Sequence, residues 1–283
     1  MKKGLLMILL IIGQTSYAQK LFVTMFIGAS AYKGELQPNS LSFLQSSPAA
    51  GFGINYEISP RLYSKLEFNL GKISGNDKYN ALTKSRNLSF QSDISEISLI
   101  VEYNLFDLYD YKVTPYFYMG AAFFKFTPFV DLANGSRVYL PEYDTEGQGF
   151  YLNRTKYKLS EWSIPFGGGL QWAVTKNMRI GLNIGIRKTN TDYLDDVSTT
   201  YVDKDLLFQN RGTNAVNFAY KGDLLPNGAP YPAAGTPRGN PKDKDLYYFG
   251  GASIRFRIDP KGKRKVIETG NIKSKVTCPA NVQ

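Results

Sequence analysis

Hydrophobic and polar residues alternate without a break between Met178 and Arg187. One set comprises Met178, Ile180, Leu182, Ile184 and Ile186, and the other comprises Arg179, Gly181, Asn183, Gly185 and Arg187. A repeat of two residues is typical of a β-strand with one apolar and one polar face. The pattern predicts such a strand, with its apolar face toward lipid, followed by an acidic and aromatic segment that runs to Asp203.

Alternation of this kind recurs along the chain and predicts eight strands. Their predicted ranges are 21–32, 49–59, 62–73, 88–105, 114–126, 159–174, 178–187 and 246–258. The first has apolar residues on both sides, so its facing is ambiguous, and the fifth is aromatic on both sides. Each segment is long enough to cross a bilayer, since a tilted transmembrane strand needs about 9–11 residues.

The links between these segments alternate in length. Those after the second, fourth and sixth segments are short, whereas those after the first, third, fifth and seventh are long. A soluble sandwich has no reason to sort its loops in this way, but an outer-membrane barrel has short periplasmic turns and long outer loops. We therefore predict an all-β protein, an eight-stranded antiparallel up-and-down transmembrane β-barrel with short periplasmic turns, long extracellular loops and both termini in the periplasm.

The ends of the chain predict export. Lys2 and Lys3 precede an apolar run from Leu5 to Ile12, and small residues at 16–18 offer a cleavage site, as in a secretory signal peptide. That run is too short to span a bilayer, and no later segment reaches about 18 uninterrupted apolar residues. The predicted organisation is a signal peptide at 1–18, an outer-membrane β-barrel domain at 19–258 and a basic periplasmic tail at 259–283.

Composition and charge fit an exported membrane barrel. Aromatic residues make up 14% of the chain, with 20 Tyr and 18 Phe, which suits the aromatic girdles of such barrels. The formal net charge of +10 falls to about +8 without the two lysines of the signal peptide. We expect outer-membrane lipid as a partner and no nucleic acid, because no basic recognition helix or zinc-ligand spacing is present.

Charged residues on the polar faces of the predicted strands would share one lumen. They are Glu57, Lys65, Glu67, Glu96, Glu102, Glu161, Arg179, Arg187, Arg255 and Arg257. An eight-stranded barrel is just wide enough for side chains to fill, and buried charges are costly unless they are paired. We therefore predict a network of charge pairs that plugs the lumen; a conducting or substrate-binding lumen is the alternative.

Residue types that many enzymes need are sparse. The chain has no histidine and one cysteine, Cys278, which removes the Ser-His triad and imidazole metal sites. Gly167-Gly168-Gly169 lies within a strand pattern, where curvature or close packing is a better interpretation than phosphate binding. We expect no enzymatic activity and no cofactor.

The acidic segment after the seventh strand offers carboxylates from Asp192, Asp195, Asp196 and Asp203. Carboxylate oxygens are calcium ligands, but the spacing does not match an EF-hand loop. We interpret the segment as a solvated, hydrogen-bonding loop base, with a calcium site as the alternative.

The basic tail predicts a docking surface for a periplasmic partner. Its candidate residues are Lys261, Lys263, Arg264, Lys265, Lys273, Lys275 and Cys278. A lone thiol in an oxidising compartment suggests an intermolecular disulfide through Cys278. A disordered basic tail beside anionic lipid headgroups is the alternative.

Several stretches of the sequence occur together in one known family. They are RNLSFQSDISEISLIVEYNLFD at 86–107, TPYFYMG at 114–120, TEGQG at 145–149, IPFGGGL at 164–170, TDYLDDVSTTYVD at 191–203 and Cys278-Pro279. Together they resemble the PorG-like outer-membrane β-barrel family of the Bacteroidetes type IX secretion system. A family run Gly-x-Ser-x-Tyr-x-Gly-Asp-Leu corresponds to residues 28–36, with Glu35 in place of Asp. The resemblance makes Asp192, Tyr193, Asp195 and Asp196 a rim motif at the outer end of the barrel.

The resemblance implies a structural function. It implies a non-enzymatic barrel that anchors a periplasmic ring, built from a PorK-like lipoprotein and a PorN-like subunit, within the machinery of protein secretion and, where present, of gliding motility. The alternative is a small outer-membrane barrel that binds or passes small solutes.

Overall fold

A computed structural model describes residues 21–37, 45–151 and 153–258, so the predicted signal peptide and tail lie outside the described residues. Its strands are β1 (Leu21–Lys33), β2 (Ser47–Ser59), β3 (Leu62–Asn76), β4 (Ser89–Asn104), β5 (Val113–Asp131), β6 (Arg137–Tyr139), β7 (Ser160–Ala173), β8 (Met178–Thr189) and β9 (Leu246–Ile258). Each long strand pairs antiparallel with its neighbours in sequence, β1 pairs with β9, and β4 pairs with β5. The predicted eight-stranded antiparallel barrel is confirmed, with β6 as a short addition to the edge of β5.

Connections at the two ends of the barrel differ in length. Residues 60–61, 105–112 and 174–177 form short turns at one end. The connections from β1 to β2, β3 to β4, β5 to β7 and β8 to β9, at the other end, are longer. The two ends therefore present different surfaces, one compact and one built from extended loops.

Side chains of β8 alternate between the outer wall and the lumen. Leu182 is 61% exposed and Ile184 is 48% exposed, whereas Arg179 and Arg187 are buried. Other strands place apolar residues outward in the same way, including Met25, Ile27, Phe52, Leu66, Leu70, Ile97, Leu99, Phe117, Met119, Trp162, Ile164, Leu170 and Trp172. An apolar belt with a polar interior is the distribution of a barrel whose wall contacts lipid.

Pairing on both sides resolves the facing of β1. Register with β2 and β9 turns Phe22, Thr24 and Phe26 into the lumen, where all three are buried. Met25 and Ile27 point outward and are exposed. The apolar residues on the inner side of β1 thus contribute to the packed interior.

Glycines on the inner wall make room for large lumen side chains. A Cβ at Gly185 would overlap the Tyr118 hydroxyl, and a Cβ at Gly167 would lie 2.8 Å from the Tyr118 ring. The Tyr118 ring can approach this wall closely because Gly167 and Gly185 have no side chain. The glycine-rich part of β7 therefore serves the packing of the interior.

The long connections at one end of the barrel, which we call the outer loops, contain regular structure that the sequence pattern did not predict. Residues after β8 form the helix α1 (Lys204–Ala219), which is interrupted at Gly212, where φ is +78°. Asp203 caps its first turn by accepting hydrogen bonds from the backbone N–H groups of Asp205 and Leu206. The sequence pattern predicts a long loop that ends at Asp245, and it does not reveal this helix within the loop. Among the described helices, none is both long and apolar enough to cross a membrane.

A hydrophobic core joins the outer loops to the mouth of the barrel. Buried residues from the strands and the loops form one cluster, which includes Phe26, Ile73, Phe90, Phe124, Phe126 and Phe249 from the wall and Leu140, Leu194, Val197 and Phe218 from the loops. Burial of such aromatic and aliphatic groups is the main favourable term in folding. The loops therefore form a packed cap on the barrel.

Replacing Leu182 by Arg should destabilise the barrel in a bilayer. The side chain lies midway along β8 on the outer wall, where a charge in the hydrocarbon region costs about 2–4 kcal/mol. Denaturant unfolding in lipid vesicles would measure this loss of unfolding free energy. The control Leu82→Arg lies on an outer loop, where Leu82 is 91% exposed, and should change stability little; equal effects of the two substitutions would contradict a lipid-facing wall.

Candidate functional site

Charged side chains from opposite walls of the barrel meet in the lumen. Strands β8 and β9 supply Arg179, Arg187 and Arg255, while β2 and β4 supply Glu57, Glu96 and Glu102. All six are largely enclosed, so their pairing determines whether the interior is stable.

Two arginines bind carboxylates of β4 at two points each. The Arg255 guanidinium donates to both oxygens of Glu102, with Nη1–Oε1 and Nη2–Oε2 distances of 2.7 and 2.6 Å. Arg187 donates to both oxygens of Glu96, with distances of 3.1 Å from Nε and 3.2 Å from Nη2. Two-point charge-assisted hydrogen bonds combine strength with fixed geometry. These pairs tie β4 to β8 and β9 across the lumen.

The third arginine lies at the end with the short turns. Arg179 Nη2 lies 3.4 Å from Glu57 Oε2, and its Nη1 donates to the Tyr63 hydroxyl at 2.9 Å. The hydroxyl of Tyr109, on the short turn after β4, donates to Glu57 Oε2 at 2.9 Å. Arg179 also lies over the Phe22 ring, 4.4 Å from its centroid. This group fills the end of the lumen.

Of the remaining charged residues of the inner wall, two form a buried ion pair and two are half-buried near strand ends. Lys65 and Glu67, both buried on β3, form an ion pair of 2.8 Å. Glu161 and Arg257 are only half-buried, near the ends of β7 and β9, and neither forms an ion pair with a described residue. Water can reach the ends of a barrel, so pairing is less necessary there.

Side chains leave little space between these pairs. A lumen cavity bounded by residues that include Lys65, Arg187 and Phe249 has a volume of about 10 Å³. That is about the space that one water molecule needs. Side chains therefore fill the lumen beside Lys65, Arg187 and Phe249.

A second charged centre organises the outer loops. Glu146 Oε1 accepts hydrogen bonds from the backbone N–H of Ser198 at 2.9 Å and from Arg238 Nη1 at 3.0 Å. Glu146 Oε2 accepts from the Thr199 hydroxyl at 2.6 Å. Arg238 also donates from Nε to the Ala219 carbonyl oxygen at the end of α1. We call Glu146, Arg238 and residues 196–199 the loop hub, because it joins the loop after β6 to two parts of the loop after β8.

The rim motif is buried, so the interpretation of a solvated loop base was wrong. Asp192, Asp195 and Asp196 are each no more than 2% exposed. Asp196, with a left-handed φ of +66°, accepts hydrogen bonds from the Thr145 hydroxyl at 2.5 Å and the Tyr157 hydroxyl at 2.7 Å. The packed cap above these residues excludes water from the segment. Asp203 does not join them, since it is exposed and caps α1.

Tyr193, the remaining member of the rim motif, packs against the same loops. Its ring stacks on Tyr157, with centroids 4.4 Å apart and an angle of 7° between planes. Its hydroxyl donates to Glu146 Oε2 at 3.3 Å. The rim motif thus contacts the loop hub through Tyr193 and shares Asp196 with it.

A group of three carboxylates lies at the base of the outer loops. Oxygens of Glu35, Asp195 and Asp245 lie within 4.8 Å of one another, and we call these residues the acid cluster. The Tyr32 hydroxyl lies 2.6 Å from Asp195 Oδ2 and 3.1 Å from Asp245 Oδ1. The backbone N–H of Leu194 donates to Asp245 Oδ2 at 2.9 Å. The chain brings these groups together from the loop after β1 and from both ends of the loop after β8.

Burial makes the charged forms of the acid cluster unfavourable. It raises the pKa of Glu35 to about 9, with further contributions from Asp195 and Asp192. It raises the pKa of Asp195 to about 7. The pKa of Asp245 is raised well above its usual value by burial and then by the charges of Asp195 and Glu35. A proton or a cation would therefore stabilise this group.

Sequence reasoning missed several members of these two centres. Glu146 lies in the TEGQG stretch and Glu35 in the run at 28–36, but no local pattern distinguishes them as buried charges. Arg238 and Asp245 lie in the long loop after β8, without a motif around them. The candidate docking residues Lys261, Lys263, Arg264, Lys265, Lys273, Lys275 and Cys278 lie outside the described residues.

Replacing Glu146 by Gln should loosen the cap without opening the barrel. The substitution breaks the 3.0 Å pair and leaves buried Arg238 with only the longer ion pair to Asp196 at 3.9 Å, and breaking a buried pair costs about 3–5 kcal/mol. Hydrogen exchange should become faster at residues 195–202 while β1 to β5 remain protected. The control Glu142→Gln removes an exposed carboxylate of the same loop and should leave exchange unchanged; unchanged exchange in Glu146→Gln would contradict the role of the loop hub.

Comparison with known proteins finds similar solved structures and a sequence family. Among solved structures, Neisserial surface protein A is 12% identical, with 84% of this chain and 97% of that chain covered and a TM-score of 0.41. Outer membrane protein W of E. coli is 12% identical, with 86% and 100% covered and a TM-score of 0.37. The N-terminal β-barrel domain of Pseudomonas aeruginosa OprF is 10% identical, with 86% and 100% covered and a TM-score of 0.37.

Sequence comparison gives a more specific assignment. The comparison with curated proteins finds no match. A family model described as "Domain of unknown function (DUF6089)" matches residues 2–217, which is most of the chain. The protein therefore belongs to the DUF6089 family.

Proposed function

We propose that this protein is a non-enzymatic outer-membrane barrel of the type IX secretion machinery, with both termini in the periplasm. It anchors a periplasmic ring of a PorK-like lipoprotein and a PorN-like subunit, and contributes to gliding where that machinery exists. The observation that carries the structural part of the proposal is the filled lumen, in which Arg187 and Arg255 are paired with Glu96 and Glu102.

A filled lumen favours a scaffold over a carrier of solutes. Passage through this interior would require the charge pairs of β4 to separate, and a buried charge that loses its partner costs several kcal/mol. Small-solute transport therefore has less physical support than attachment of a partner to one end of the barrel. The wall, with its apolar belt, supplies the anchor in the membrane.

Two stretches that carry the resemblance also belong to one folded unit. Glu146 of the TEGQG stretch binds Ser198 and Thr199 of the TDYLDDVSTTYVD stretch through hydrogen bonds of 2.6–3.2 Å. Such mutual burial is expected for segments that a family retains as a structural unit. It supports assigning the chain to the PorG-like type of barrel and gives the outer cap a structural role.

The proposed docking element is the basic tail. It carries Lys261, Lys263, Arg264, Lys265, Lys273 and Lys275 within a short span, together with Cys278. Clustered positive charge favours an acidic partner surface and accelerates association. In the proposed orientation, this tail enters the periplasm beside the short turns, where a ring could attach.

Deleting residues 262–283 should abolish export of type IX cargo in a host that depends on this protein. The barrel itself should still insert, because the deletion removes no barrel strand. Cargo in the medium, ring subunits that co-purify after gentle detergent extraction, and heat-dependent gel mobility of the barrel would be measured together. Neutralising Lys204 and Lys242 on the outer loops provides a matched control that should preserve export.

The parent strain and a strain that carries Cys278→Ser test the proposed disulfide. Non-reducing gels of intact cells should show a species of higher mass that disappears in Cys278→Ser. Normal export and normal ring recovery in the tail deletion would contradict the docking role, whereas absence of the higher-mass species would contradict only the disulfide.

A further inference from the structure

The carboxylates of the acid cluster differ from the buried acids Asp77 and Glu146 of the cap in having no ion-pair partner among the described residues. Elsewhere in the cap, Asp77 pairs with Arg86 at 2.7 Å and Glu146 pairs with Arg238 at 3.0 Å. Within the described ranges, no lysine or arginine forms an ion pair with Glu35, Asp195 or Asp245. Their oxygens nevertheless lie within 4.8 Å of one another. Negative charges at this separation repel strongly where water is excluded.

Asp192 is a second buried acid beside the cluster whose charge no cation balances at ion-pair distance among the described residues. Its side chain is 2% exposed, and neither carboxylate oxygen has a partner at full hydrogen-bond geometry among the described residues, although the Ser198 side chain lies near enough to lower its pKa. Burial raises the pKa of Asp192 to about 7, against opposing effects of Ser198 and Lys244. Its charge also contributes, after burial and Asp195, to the raised pKa of Glu35. The charge of Asp192 therefore makes the ionised form of Glu35 in the acid cluster less favourable.

Glu35, a member of the acid cluster, also has a carboxylate oxygen without a hydrogen-bond partner among the described residues. Its Oε1 accepts a hydrogen bond from the backbone N–H of Asn240 at 3.1 Å, but its buried Oε2 has no partner among the described residues. Buried polar atoms are almost always paired with protein, water or an ion. Unpartnered oxygens on both Glu35 and Asp192 point to a bound cation.

We propose that Glu35, Asp195 and Asp245 bind a calcium ion, with Asp192 adding negative charge beside it. The donors are all oxygen atoms, which suit hard divalent cations. Magnesium demands near-ideal octahedral geometry at about 2.0–2.1 Å, whereas calcium tolerates irregular sets of oxygens at about 2.3–2.6 Å. Carboxylates from separate loops, all three already held by hydrogen bonds, form an irregular set that favours calcium.

An open cleft gives the ion a route to the cluster. The cleft has a volume of about 770 Å³, and Gly34 and Glu35 lie in its wall. Lys33, Lys188, Lys242 and Lys244 also line it, and the last three are exposed, so water and salt screen their charge along the route. Glu35 thus connects the solvent-filled cleft to the buried carboxylates of Asp195 and Asp245.

A bound ion would join the loop after β1 to the loop after β8. Glu35 follows β1, Asp195 follows β8, and Asp245 directly precedes β9. Calcium would therefore stabilise the cap where its loops enter the barrel, and the neighbouring Tyr32 hydroxyl would help to hold two of the ligands.

Calorimetric titration of the purified full chain with calcium chloride, after removal of metal with EDTA, tests the proposal. We expect saturable uptake of one ion per chain, with a dissociation constant of about 10⁻⁴–10⁻³ M, as in extracellular calcium modules. Saturating calcium should raise the melting temperature, because the ion binds only the folded state. Glu35→Gln should weaken binding by at least about tenfold.

Controls separate this site from non-specific binding and from misfolding. Asp110→Asn, in a short turn at the other end of the barrel, should bind calcium as the parent does. Asp245→Asn is a second ligand variant, and heat-dependent gel mobility verifies that each variant is folded. Absence of saturable uptake, uptake that survives both ligand substitutions, or equal affinity for magnesium would overturn the assignment.

Discussion

The cost of a buried charge constrains this barrel more than any other interaction. An eight-stranded barrel has no room for bulk water around charged side chains, so each buried lumen charge needs a partner of opposite sign. Arg187 and Arg255 meet that requirement through two-point pairs with Glu96 and Glu102. The inner glycines are part of the same solution, since Gly185 leaves space for the Tyr118 ring beside these pairs.

The same constraint extends into the cap and explains its architecture. Arg238 is buried within the loops, and Glu146 is held against it by hydrogen bonds from Ser198 and Thr199. Long loops that bury such pairs, together with a shared hydrophobic core, become an ordered part of the domain. The outer surface is therefore shaped by packed loops, while the membrane wall is shaped by simple alternation.

Alternation predicts the barrel because each residue of a strand has only two places to point. Residues 178–187 are the clearest case, since their alternation predicts the inward position of Arg179 and Arg187. The same pattern along the whole chain predicts the number of strands and the alternation of short and long links. The helix α1 could not be predicted in this way, because Gly212 divides it and its apolar residues lack a regular period. Glu35 and Asp245 meet only through tertiary folding, and the burial of Asp195 depends on a cap that no local pattern describes.

A closed lumen is the central claim, because it separates a membrane scaffold from a pore. Single-channel recording of the purified barrel in planar lipid bilayers measures this property directly. With the pairs of Arg187 and Arg255 intact, the account predicts no steady conductance across the physiological voltage range. A steady, ion-selective conductance whose selectivity changes in Glu96→Gln would contradict it.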